Sequence, residues 1–136
     1  MKLNFRTTVL YVKDVKESIN FYEKAFGFER KFIAEGEVYG ELNIGNTNIG
    51  FSKEEFVKNN IIRTDFHKNS MEKIPSGFEI AFVSEDVEES FKKAVDAGAQ
   101  IILKPTKMQW GQTVAYLRDI NGIIIEIFNE VSNFNK

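Results

Sequence analysis

The chain has 136 residues, 43% hydrophobic and 28% charged, with a formal net charge of -2. A length of this order corresponds to about one domain and supports a packed core without disulfides. Because there is no cysteine and only one histidine, thiolate zinc sites, iron–sulfur clusters, cysteine nucleophiles and CxxC redox pairs are excluded, and a metal within one subunit has at most one imidazole.

Thr7–Val12 alternates as a strand does and leads to Asp14, a helix N-cap residue with Glu17 three positions on. Val15, Ile19, Tyr22 and Phe26 then fall on one helical stripe, and Gly27 suits the left-handed residue beyond the helix end. Strands follow at about Glu29–Ala34, Val38–Ile44 and Asn48–Ser52, separated by turns at 34–37 and 45–47. Lys53–Pro75 is polar and reads as a linker; its His67 reads as a solvated loop residue.

The second half repeats the first. Asp14-Val15-Lys16-Glu17-Ser18 returns as Asp86-Val87-Glu88-Glu89-Ser90, after a strand at Glu79–Val83. Val87, Phe91, Ala94 and Gly98 match the first helical stripe, with Gly98 as the helix-ending glycine. Strands are expected at Gln100–Leu103, Gln112–Arg118 and Ile123–Phe128, and Asp119-Ile120-Asn121-Gly122 is the last hairpin turn. The sequence therefore reads as one α+β domain, residues 1–136. It comprises a first βαβββ module (1–52), a linker (53–75), a second βαβββ module (76–131) and a tail (132–136).

Strand alternation sorts the side chains by face. Phe78, Ile80 and Phe82 share one face, and Glu79, Ala81 and Val83 the other; Ile123, Ile125 and Ile127 oppose Ile124, Glu126 and Phe128. The larger apolar faces should pack beneath the helices. The repeat then makes Thr7 the counterpart of Glu79, and Gly50 the counterpart of Glu126.

The run Val12-Lys13-Asp14-Val15-Lys16-Glu17-Ser18-Ile19-Asn20-Phe21-Tyr22-Glu23-Lys24-Ala25-Phe26-Gly27-Phe28 resembles the opening of a module of the vicinal oxygen chelate superfamily. So does the segment from Trp110 to Ile127, where the Asp119–Gly122 turn stands in place of the common Asp-Pro-Asp-Gly. This superfamily includes glyoxalases, bleomycin-resistance proteins and extradiol dioxygenases. The resemblance implies two βαβββ modules forming a cup-shaped mixed sheet, and a homodimer. Its metal-bearing members draw ligands from the positions that here hold Thr7, Gly50, Glu79 and Glu126. Only the two glutamates are suitable ligands, so no cofactor is expected. Two carboxylates alone would hold a divalent metal weakly.

The expected function is therefore binding of a small organic molecule in the cleft, without a full metal site. A basic, planar ligand suits the two carboxylates and nearby aromatics. The lining candidates are Thr7, Tyr11, Tyr39, Glu41, Gly50, Trp110, Gln112 and Tyr116, and Glu79 and Glu126 are the catalytic pair if there is chemistry. If the two glutamates lie close, one gains a raised pKa and a general-base role. Glu126 has a second reading, an internal salt bridge to Arg6, Arg63 or Arg118, and Trp110 has one as filler of a core gap or dimer groove. Two functional alternatives stand beside the binding protein: a metal-dependent lyase, isomerase or dioxygenase, and a structural or regulatory dimer with a vestigial pocket. No nucleic-acid partner is expected from 18 basic against 20 acidic residues. No membrane partner is expected either, because Ile123–Phe128 is too short to span a bilayer. Met1–Phe5 lacks the apolar stretch of a signal peptide, and the expected location is cytoplasmic.

Overall fold

Two aspartates start the two long helices. The Asp14 carboxylate accepts from the Glu17 amide at 3.0 Å at the head of α1 (Val15–Phe26), and Asp86 accepts from Glu89 at 3.1 Å at the head of α3 (Val87–Asp96). Each bond satisfies an amide that has no partner within its helix. Gly27 closes α1 in the left-handed region at φ 74°. α3 ends as expected: beyond its cap residue Ala97, Gly98 stands at φ 117°, donating to the Val95 carbonyl at 3.0 Å while Ala99 donates to Ala94 at 3.0 Å.

The computed structural model describes residues 1–131, so the expected tail at 132–136 lies outside the described residues. The chain divides into two compact units. The first comprises Met1–Glu23 and Gly27–Lys68, and the second Lys24–Phe26 and the chain from Asn69 onward.

The first unit carries a four-stranded sheet of β1 (Thr7–Val12), β2 (Glu29–Ile33), β3 (Tyr39–Asn43) and β4 (Asn48–Lys53) in the order β1-β4-β3-β2. The β1 and β4 strands are parallel, and the other pairs antiparallel. Val15, Ile19 and Tyr22 of α1 are buried with Leu10, Val12, Leu42 and Phe51 of the sheet. The Tyr22 ring meets Phe51 edge-on at 5.1 Å. Gly40 lets α1 come close, since a Cβ there would lie 2.6 Å from Ile19 Cδ1.

The interval read as linker is partly helical. After β4 the chain forms a short helix, α2 (Glu54–Phe56), that continues as a π-type turn over Val57–Ile61. Val57 and Glu54 are buried there. Polar composition concealed these two inward-facing positions.

The second unit repeats the plan with β5 (Glu79–Val83), β6 (Gln100–Lys107), β7 (Thr113–Arg118) and β8 (Ile124–Phe128), in the order β5-β8-β7-β6. Ile125, Ile127, Ala115 and Leu117 are buried with Val87 and Ala94 of α3. The expected facing of the last strand holds, because Ile125 and Ile127 are buried while Glu126 is half-buried on the opposite face. β6 runs four residues beyond its expected end at Leu103. The extension includes Pro105. It sits on an edge strand at a register shift between Leu103 and Thr106, where a missing N–H interrupts no ladder.

The Asp119–Gly122 turn is held from inside. Buried Asp119 accepts from the amides of Asn121 (2.8 Å) and Ile123 (2.9 Å). Arg118 donates to the carbonyls of Gly122 (2.9 Å), Ser70 (3.0 Å) and Lys73 (2.7 Å), clamping the incoming segment against the turn. Both modules of the α+β fold expected from the repeat are thus present.

Candidate functional site

In the second unit the face away from α3 carries Glu79 on β5, Glu126 on β8 and Tyr116 on β7. Glu126 pairs across the sheet with Ala81 on one side and Tyr116 on the other, and Glu79 lies diagonally from it, opposite Ile124. Glu79 and Tyr116 are both near enough to act on the Glu126 carboxyl. Burial is the largest cause that pushes Glu126 up to about 7, with the bond to Glu79 and its negative charge adding to it; the Tyr116 hydroxyl, donating, opposes. Tyr116 is itself raised, by burial first and then by the charges of Glu126 and Glu79. A carboxyl poised near neutrality beside a second carboxyl and a phenol can take up or release a proton, or trade that proton for a bound cation.

The salt bridge considered for Glu126 is therefore not made. Arg6 pairs with Glu41, Arg118 is committed to backbone carbonyls, and Arg63 is exposed.

In the first unit Glu41 on β3 stands opposite Gly50 on β4, the same pairing that joins Tyr116 and Glu126 in the second. Carboxylate and partner have thus exchanged strands. Gly50 leaves a gap that Tyr39 fills, because a Cβ at position 50 would lie 2.5 Å from the Tyr39 hydroxyl oxygen. That hydroxyl donates to Glu41 Oε2. Arg6 donates to both Glu41 oxygens, at 2.9 and 3.2 Å, and Lys31 Nζ lies 3.8 Å away. Burial alone would raise Glu41; the hydrogen bonds from Tyr39 and Arg6 and the charges of Arg6 and Lys31 outweigh it and hold Glu41 below the usual carboxylate value. Tyr39 is pushed up to about 12, chiefly by burial and then by Glu41.

Thr7 donates to the Asn48 carbonyl at 3.0 Å, and the Tyr11 ring meets Phe66 edge-on at 4.9 Å. Trp110 is half exposed and donates through Nε1 to Gln112, whose own amide donates to the Asn129 carbonyl. His67 is exposed, as expected. Arg6 and Lys31 were not among the candidates for the Glu41 cluster. The available signal was the spacing of Tyr39 and Glu41, two apart on one strand, which puts both on one face.

Residues 4–127 match the family described as the Glyoxalase/Bleomycin resistance protein/Dioxygenase superfamily. The chain belongs to that superfamily. A Bacillus subtilis (strain 168) relative, Uncharacterized protein YraH, is 28% identical over 121 residues, which is 88% of this chain and 92% of that protein. Among solved structures, a glyoxalase-related enzyme from Fulvimarina pelagi superposes with a TM-score of 0.80 at 17% identity, covering 95% of this chain and 89% of the other. A glyoxalase/bleomycin resistance protein/dioxygenase family enzyme from Burkholderia phytofirmans PsJN gives 0.76 at 20% identity, covering 95% and 100%. These two likenesses concern the fold.

Among the described residues no group of three or more histidine, cysteine, aspartate or glutamate side chains could hold an ion. Glu79 and Glu126 are two carboxylates, Gly50 offers no side chain, and a zinc-type site needs about three protein ligands. Among the described residues, too, no helix is long and apolar enough to cross a membrane.

Proposed function

We propose that the chain binds a small organic cation with a planar aromatic part, and that Glu79, Glu126 and Tyr116 recognise it. The observation that carries this reading is the placement of Glu79, Glu126 and Tyr116 on one face of three neighbouring strands, with Glu126 pushed up to about 7. Two adjacent carboxylates cannot both ionise without repulsion, so they retain a proton. A ligand cation would replace that proton and remove the repulsion, and the phenol ring offers a face to an aromatic ligand.

The sign of the pH dependence follows. Below about pH 7 the ligand must displace a proton from Glu126, so affinity falls as the pH is lowered. Between about pH 8 and pH 6 the loss should be about tenfold. The test is a fluorescence titration with proflavine, a planar aminoacridinium, on the wild type and on Glu126→Gln. Affinity about tenfold weaker in Glu126→Gln, with the pH dependence gone, is the expected result. Equal affinities in the two proteins, or no binding by the wild type, would remove the reading.

A further inference from the structure

In the first unit the contact between Arg6 and Glu41 joins two groups of very different accessibility. The Glu41 side chain is 1% exposed, and that of Arg6 is 62% exposed. A carboxylate so buried needs a cation and hydrogen-bond donors, because a bare buried charge is costly. Glu41 receives two N–H bonds from one guanidinium, one on each carboxylate oxygen, and the Tyr39 hydroxyl donates to Oε2 as well. The floor of this arrangement is built by the sheet. Gly50 creates the gap, Tyr39 fills it, and both Tyr39 and Glu41 sit on β3.

The cation, by contrast, comes from outside the sheet. Arg6 precedes β1, and every residue from Met1 to Arg6 is exposed. Its backbone carbonyl accepts from the Thr47 hydroxyl at 3.2 Å. The guanidinium is thus carried by an arm that lies against solvent, while its acceptor is fixed in a strand.

We infer that Glu41 and Tyr39 form a binding site for a guanidinium or amidinium group, and that Arg6 fills this site as a tethered, displaceable stand-in for the ligand. The geometry of the stand-in defines the ligand class. Two parallel N–H donors in one plane match the two carboxylate oxygens; a lysine-like ammonium supplies the charge without the fork. Lys31, at 3.8 Å, adds positive charge near Glu41 but sits beyond hydrogen-bond distance. Removing the arm's guanidinium should expose the site, because a tethered competitor acts as a fixed local concentration that a free ligand has to overcome.

The test uses the full chain with Glu126→Gln as background, so that cation binding on the second sheet does not enter. The probe is benzamidine, with neutral benzamide of the same shape as control, and the readouts are titration calorimetry and the ring resonances of Tyr39. Arg6→Ala should bind benzamidine about tenfold or more tightly than its Arg6-containing parent. The Tyr39 resonances should move, and benzamide should give neither effect. Adding Glu41→Gln to Arg6→Ala should abolish binding. No gain in Arg6→Ala, or binding that survives Glu41→Gln, overturns the inference. Should Arg6→Ala fail to fold, the parent protein decides. Excess benzamidine must then shift the Arg6 Nε–H resonance to that of a solvated arginine, and an unmoved resonance means that Arg6 is a permanent cap. Because Glu126 is absent from every arm, this result stands or falls separately from the role proposed for the second sheet.

Discussion

Replacing Glu126 by glutamine should stabilise the protein at alkaline pH and leave it little changed in mild acid. In the folded chain Glu126 titrates near 7, against an ordinary value of 4.5. The folded state therefore holds this proton more tightly than the unfolded state does. The contribution to stability is complete below about pH 4.5 and is lost as the pH rises through about 7. A rise of that size corresponds to about 3 kcal/mol without solvent screening. Glu126 is half-buried, so a cost of about 1–2 kcal/mol is the realistic expectation for ionising it. Urea unfolding of wild type and Glu126→Gln at about pH 5 and about pH 8 measures this directly. The variant should gain about 1–2 kcal/mol relative to wild type between the two conditions. Glu79→Gln should shrink the wild-type slope without removing it, because burial, the largest cause, remains. Parallel pH profiles for wild type and Glu126→Gln would refute the reasoning, since they would mean that Glu126 ionises as freely folded as unfolded.

Other substitutions probe the frame around the two clusters. Gly122→Ala places a Cβ 2.5 Å from Arg118 Nη2 and 2.6 Å from the Ser70 carbonyl oxygen, at φ 86°; a loss of about 2–4 kcal/mol in urea unfolding is expected. Gly50→Ala should push the Tyr39 hydroxyl away from Glu41, and ultraviolet titration should show this tyrosine falling from about 12 toward its ordinary 10.0. Glu54 is buried, and its Oε2 has no hydrogen-bond partner. Glu54→Met should therefore raise stability by about 1 kcal/mol, seen as a higher thermal midpoint.

The parts of the molecule that were legible in the sequence are those set by local rules. Asp14 and Asp86 announced the helix starts because capping acts over three residues. Alternation in Ile123–Phe128 put Glu126 opposite the buried isoleucines. The internal repeat marked Glu79 and Glu126 as counterparts of Thr7 and Gly50, and their closeness became visible only from the β5–β8 register. Long-range pairing was not legible. Arg6 and Glu41 are joined across two strands, and nothing local to either residue names the other. Arg118 looked like a counter-ion for Glu126 from its strand position, yet four nearby carbonyls satisfy its donors. β6 was read too short: past Leu103 the segment Lys104-Pro105-Thr106-Lys107 carries no apolar alternation, yet it continues as an edge strand through a register shift.

The Arg118 clamp bears on how the molecule is divided for experiment. A fragment that begins at β5 would keep every strand of the second sheet, yet it would strand a guanidinium whose acceptors are the carbonyls of Ser70, Met71 and Lys73. The working start of that half thus lies upstream of Ser70, several residues ahead of the point where the repeat begins. Gene fusions, permuted chains and limited-proteolysis fragments cut after Lys73 would each inherit an unsatisfied arginine at the β7–β8 hairpin, whereas cuts ahead of Asn69 would preserve it as a closed structural joint.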